Sequence, residues 1–262
     1  MKNKGLIITS IILLSILVIF LIMFLVTAIT GKGSFVGMLG VEKDSGKVIF
    51  DDNFGLEGIN KIQILSKTGD IIFEENKDEN IRVVAYGKND GDIKVELNGD
   101  QLKIDYTKYS KSWFGFNHKT DIIVYIPTNY TNTIDIDSDY GDCSFCDLEE
   151  ATIKIKADAG DIHIGKVKNV DLDSDYGDIE IDSVLHKLKV ISDYGDIHVK
   201  ELGINENSSI EADYGDIDIG KTNDIYIDAK VDLGSCNINR NDRKSEIILK
   251  IKSDFGDINV NN

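Results

Sequence analysis

Val170-Asp-Leu-Asp-Ser-Asp-Tyr-Gly-Asp-Ile-Glu-Ile181 is the stretch that decides the fold. Before its glycine, alternate residues are apolar or small: Val170, Leu172, Ser174, Tyr176. After it the parity shifts by one, to Ile179 and Ile181. Alternation marks half-buried strand, with successive side chains on opposite faces. In a straight chain this slip would carry the second apolar set to the solvent face. Tyr176-Gly177-Asp178 is therefore a corner, and Gly177 supplies a backbone conformation that other residues avoid.

The corner repeats. Ser-Asp-Tyr-Gly-Asp stands at 138–142, 174–178 and 192–196, with variants at 157–161, 212–216 and 253–257 and a degenerate copy in Asp232-Leu233-Gly234-Ser235. The glycines fall at 141, 160, 177, 195, 215, 234 and 256, a mean period near 19 residues. Several copies add a third apolar position: Leu148, Val167, Val184, Leu202. One such coil cannot bury its own apolar face, but stacked coils can. The fold class is all-β, a parallel β-solenoid of about seven to eight coils. The small Ser/Ala position points inward, and the Tyr/Phe rings stack beside the corner. A two-sheet antiparallel sandwich is the alternative, but it does not require near-identical corners at equal spacing.

Residues 48–130 are β-rich but less regular and read as an N-terminal cap, although Ile62-x-Ile64 through Gly69-Asp70 to Ile71 and Phe73 repeats the corner in outline. The solenoid proper runs over 131–262, with a boundary near Pro127. Its last coil, through Ile258 and Val260, is expected to form the open C-terminal edge. Residues 6–29 carry no charge and would span ~36 Å as a helix, against ~30 Å of bilayer hydrocarbon. Lys2 and Lys4 precede them, which places the N-terminus in the cytoplasm and the rest outside. Residues 1–31 thus read as a cytoplasmic tip and uncleaved single-pass anchor in the lipid bilayer; the alternative is a signal peptide cleaved after Val26-Thr27-Ala28, but its apolar run is longer than the ~7–15 residues usual there. Residues 32–47, Gly-rich at first, read as a linker.

Ser/Ala-Asp-Tyr-Gly-Asp-Ile corners repeated behind one anchor resemble the bacterial membrane-anchored putative adhesins with β-strand repeats, LiaG-type proteins of the Gram-positive cell envelope among them. The resemblance covers about residues 48–260. It implies location and fold, and its motif is a repeat signature, not a catalytic one.

Charge is uneven. Residues 132–262 hold 14 basic and 30 acidic side chains, nearly all of the chain's net -17. That balance repels nucleic acid. Much of it lies in two columns: Asp139, Asp158, Asp175, Asp193, Asp213 and Asp254, and Asp142, Asp161, Asp178, Asp196, Asp216 and Asp257. Stacking places neighbours ~4.8 Å apart, a repulsion of ~0.9 kcal/mol per pair even in water. One reading has the second column bracing the turns by accepting backbone N–H groups, with the first simply solvated. The other has the columns hold Ca²⁺, the one cofactor suggested, through carboxylate oxygens.

No coil stands apart as an acid–base pair would require, so the expectation is a non-enzyme. His163 and His198 face outward on the strand phases, and no triad or metal-ligand spacing is apparent. Cys143-Ser-Phe-Cys146 lies within a strand, so Cys143 and Cys236 read as buried structural thiols, with a local 143–146 disulfide left open. The segment 106–119 breaks the acidic pattern, and its Tyr109, Trp113, Phe114 and Phe116 are either a cover for the solenoid end or a site for an envelope protein or cell-wall polymer. The function expected is non-catalytic display at the cell envelope for adhesion, scaffolding or stress signalling, with a Ca²⁺-set structural module as the alternative and a polysaccharide-active enzyme third.

Overall fold

The computed structural model describes residues 46–88, 91, 93–107 and 119–261. The segment 6–29, most of the linker, and Tyr109, Trp113, Phe114 and Phe116 lie outside the described residues. Among those described there is no helix, and so none long and apolar enough to cross a membrane. Among the described residues nineteen strands join one continuous sheet that turns at each corner.

Like stacks on like. Val170 pairs with Leu188, Leu172 with Val190, Ser174 with Ser192 and Tyr176 with Tyr194; beyond the corner Ile162 pairs with Ile179 and Ile164 with Ile181, all in parallel. The inward columns are aliphatic and dry. Ile64, Ile136, Ile155, Leu172, Val190, Ile210 and Ile251 line one wall, Ile71, Ile162, Ile179, Ile197, Ile217 and Ile258 the second, and Leu148, Val167, Val184 and Leu202 the third. Each such side chain taken fully from water contributes about 1.5–3 kcal/mol, and together they form one core.

Stacking order departs from chain order at both ends. The rung of Lys61–Ser66 and Ile71–Glu75 lies between that of Gln101–Tyr106 and Asp121–Ile126 and that of Thr133–Tyr140 and Cys143–Phe145. The last rung in sequence, Ile248–Phe255 with Ile258–Val260, is inserted between Ser208–Tyr214 with Ile217–Thr222 and Tyr226–Leu233 with Cys236–Ile238. The expectation that Ile258 and Val260 form the open edge is therefore corrected: the outermost rung is the degenerate copy at Gly234. Cys236 sits there exposed, not buried as expected, because no rung covers it. At the opposite end the antiparallel strands Lys47–Gly55, Asn80–Gly87 and Lys94–Asn98 flank the first rung. The Gly234 end is blunted locally: Asn241 Oδ1 accepts from the Ile227 N–H at 2.9 Å and its Nδ2 donates to the Ile227 carbonyl at 2.8 Å. A side chain there occupies backbone groups that another strand would otherwise claim.

The corner glycines are fixed by two constraints at once. Gly177 has φ +135°, and a Cβ added to it would lie 2.1 Å from the carbonyl oxygen of Gly160 on the neighbouring rung. The same 2.0–2.1 Å approach recurs at every stacked corner from Gly69 to Gly234. The first rung has Thr120 at this position, and Gly69 packs on its carbonyl. Since each missing Cβ points toward the preceding rung, the first rung alone can dispense with glycine. We expect Gly177→Ala to lower unfolding free energy by roughly 4 kcal/mol or more, because backbone strain and a backbone clash combine; urea unfolding measures it.

Inside the corner the small column is buried, and the hydroxyls of Ser66, Ser138, Ser174 and Ser192 have no hydrogen-bond partner among the described residues. Ala157 and Ala212 fill the same position. A buried hydroxyl left unpaired costs about 1–3 kcal/mol. Ser192→Ala should therefore leave the melting temperature equal or higher, while Ser192→Leu, too large for the corner, should lower it.

Candidate interaction ridge

Each corner presents three outward positions: an aspartate, a ring and, past the glycine, a second aspartate. Stacking turns them into three parallel rows. The middle row runs Tyr140, Ala159, Tyr176, Tyr194, Tyr214, Phe255, Leu233. From Tyr176 to Phe255 the rings stack face to face, with centroids 4.8–5.0 Å apart and planes within 2–5°. Among the described residues nine large apolar side chains are exposed, and six of them belong to this row: Tyr140, Tyr176, Tyr194, Tyr214, Leu233 and Phe255. Solvent-exposed apolar surface concentrated in one stripe, rather than scattered, marks a contact surface.

The second aspartate row braces the corner, and it does so between rungs. Asp142 Oδ1 accepts the N–H of Asp161 at 2.9 Å, Asp161 that of Asp178 at 3.0 Å, Asp178 that of Asp196 at 2.9 Å, Asp196 that of Asp216 at 2.8 Å and Asp216 that of Asp257 at 2.8 Å. The ladder begins at Asp121 and Asp70 and ends where Asp257 accepts from Ser235 at 2.7 Å. The flanking Gly and Ile amides bond to backbone carbonyls of the next rung, so the corner N–H groups are satisfied wherever a further rung follows. The outermost rung has no further amide to receive, which is why Ser235 suffices there.

The first row is different. Asp139 pairs with Lys67 at 2.5 Å, Asp232 with Lys230 at 2.6 Å and Asp254 with Lys252 at 2.7 Å. Asp158, Asp175, Asp193 and Asp213, on consecutive rungs, make no ion pair among the described residues. Partial burial and then the charges of Asp175 and Asp213 push the Asp193 carboxyl above its ordinary range. Tyr194 is likewise raised, by partial burial and then by Tyr214 and Tyr176.

The twelve aspartates singled out in sequence thus form two rows, one on either side of the rings, and each member of the second row has an oxygen committed to an amide. Among the described residues the group that gathers three ligand types within 4.8 Å lies elsewhere, at His163, Glu180 and Asp182. Its carboxylates already hold the Lys200 ammonium, at 2.6 and 2.7 Å, which keeps that lysine well above its ordinary range. His163 and His198 face outward, as read. A shallow concavity of about 450 Å³ before the corners is lined by interleaved Asp135, Lys154, Asp171 and Lys189. Cys143 and Cys146 are free thiols, not the disulfide left open in sequence, and burial pushes them up to about 12 and about 11. At those values neither is a ready thiolate. The ring stack was foreseen, but the interruption at Ala159 was not. The signal was in plain view as the one corner from 138 to 216 that reads Ala-Gly where the others read Tyr-Gly.

Parallel rungs, a dry aliphatic interior and a ridge along one corner define a β-solenoid. The chain belongs to the family described as Toastrack DUF4097, which matches residues 59–262. A solved structure named a putative adhesin, from Bacteroides fragilis, is similar with a TM-score of 0.54 and 18% identity over 82% of this chain and 97% of that one. Two further structures match with lower scores: a putative cell adhesion protein from Clostridium sporogenes (TM-score 0.35, 12% identity, 82% and 99% covered) and a putative lipid binding protein from Parabacteroides distasonis (0.38, 14%, 79% and 96%). At these identities the likeness is one of fold. No curated protein matches the chain. The family match and the fold of the Bacteroides fragilis structure agree with the resemblance to putative adhesins with β-strand repeats.

A carboxyl raised in the folded state takes up a proton more readily folded than unfolded. It therefore costs stability above both values, and the cost vanishes as pH falls below the ordinary carboxylate range. Asp193→Asn should raise the melting temperature at neutral pH by about 1–2 °C. The gain should shrink in added salt and disappear at acid pH.

Proposed function

We propose that this protein is a non-catalytic module displayed outside the cell membrane, which binds its partner along the corner ridge for adhesion or scaffolding at the envelope. One observation carries the reading: the ring row and the unpaired aspartates beside it recur on consecutive rungs, so a long partner meets equivalent contacts at every step. Weak contacts made together give avidity that no single one supplies. The uncharged segment 6–29 behind Lys2 and Lys4 supports an N-in anchor with the solenoid outside. That the prominent carboxylates belong to repeated rows, each like its neighbours, favours binding over acid–base chemistry. Ca²⁺ would act in this reading as an added ligand of the first aspartate row, and a selective rise in melting temperature with millimolar Ca²⁺ over Mg²⁺ reports it.

Cys236 gives a direct test of placement, because it is exposed while Cys143 is buried and Cys146 is partly buried with its thiol pushed up to about 11. A membrane-impermeant maleimide should label intact cells carrying the full chain, and Cys236→Ser should abolish the label. Labelling only after lysis would overturn the placement. For the ridge, Tyr194→Ser with Tyr214→Ser should weaken attachment of the purified chain to envelope preparations about tenfold or more without changing its circular dichroism. Unchanged attachment would move the site elsewhere.

A further inference from the structure

The ring row has one gap. Ala159 stands in register with Tyr140 on one side and Tyr176 on the other, where each following rung to Phe255 carries a ring. Tyr140 and Tyr176 are 58% and 56% exposed, against 43% for Tyr194 and Tyr214, which have rings on both sides. Tyr176 lies parallel to Tyr194 within 4°, so its second face is turned toward the Ala159 rung. Two rung spacings, about 9.6 Å, separate the positions of Tyr140 and Tyr176. The gap is one ring thick: a planar group inserted there lies about 4.8 Å from each neighbour, as the rings themselves do at 4.8–5.0 Å.

The walls specify the occupant further. Asp158 shares the rung of Ala159 and Asp175 the next, and neither has an ion pair among the described residues. Asp142, Asp161 and Asp178 line the other side of the row, each with one oxygen taken by an amide. The slot therefore asks for a group that is flat, cationic and rich in N–H donors. A guanidinium has all three properties: it stacks on aromatic faces and pairs with carboxylates through a planar fork. An ammonium is a compact charge that leaves the faces unused. A neutral sugar or ring stacks but leaves the carboxylates unanswered, and a metal ion has no use for the faces.

We propose that the Ala159 gap is an arginine slot, in which the guanidinium of an extended partner polypeptide inserts between Tyr140 and Tyr176 while Asp158 and Asp175 take its N–H groups. The proposal rests on the ridge being a binding surface and names the chemistry of what binds.

The test is titration of the full chain, in detergent, with hexa-arginine and with hexa-lysine peptides at physiological ionic strength. Hexa-arginine should bind at least fivefold more tightly. Ala159→Tyr, which places in the gap the residue that other rungs carry and so keeps the fold, should erase that preference with little change in lysine binding or melting temperature. Equal binding of the two peptides, or a preference that survives Ala159→Tyr, overturns the slot. A neutral tryptophan-bearing peptide that binds as tightly as hexa-arginine overturns its cationic character. If neither basic peptide binds while envelope attachment still depends on Tyr194 and Tyr214, the slot fails and the ridge stands. If that dependence is absent too, both fail.

Discussion

Everything in this structure hangs on a backbone approach that only glycine allows. At each stacked corner a carbonyl oxygen of the preceding rung, from Thr120 in the first and from a glycine thereafter, lies 2.0–2.1 Å from where the Cβ of the next rung's residue would be. The rungs can therefore sit at strand spacing through the bend as well as along the flat faces. Because the corner stays in register, the aspartate after it meets the amide of its equivalent one rung on, and the ring before it meets its equivalent ring. The dry core, the carboxylate ladder and the exposed ridge all follow from that registry. A bend closed by any other residue would push the rungs apart, and the three rows would no longer be rows.

The corner also has a direction. Glycine is required wherever a rung lies on the Thr120 side, and aspartate wherever a rung lies on the Gly234 side. The two end rungs each lack one of these, threonine at 120 and serine at 235. Repeat, period, strand phases, inward serines and ring stack were legible in sequence because each is a local property of a coil. The order of the rungs was not, because any coil of this type can stack on any other with the same registry. The rung at 61–75 and the rung at 248–260 each insert one place inward of their sequence position. Ser235 carried the clue to the second insertion, as a corner that braces nothing beyond it. That clue becomes readable only once the aspartate is known to serve the neighbouring rung and not its own turn. The exposure of Cys236 follows from the same reordering.

The candidate site divides in the same way. The two aspartate rows were visible as columns, and the question they raised was what offsets the repulsion. For the second row the answer is a backbone amide for each carboxylate, from the Asp70 N–H on Asp121 at one end to the Ser235 N–H on Asp257 at the other. In the middle of the first row the aspartates make no ion pair among the described residues, and partial burial beside like charges raises the Asp193 carboxyl. The cost of those like charges lies next to the exposed rings, where the proposed arginine-bearing partner would relieve it. In sequence 157–161 is one more variant of the corner, and the place of Ala159 between Tyr140 and Tyr176 emerges only from the stacking.

The central claim, that one registered corner holds the whole stack, is tested most directly by native-state hydrogen exchange at the corner amides. Asp161, Asp178, Asp196 and Asp216 lie at the surface beside a bend, where unbonded amides exchange within the fastest class. If each is held by the carboxylate of the preceding rung, their protection will approach that of the strand amides of Leu172 and Val190 and be lost with them in one cooperative step. Fast exchange at these four positions, with the strands still protected, would contradict the account and leave the corners as separate turns.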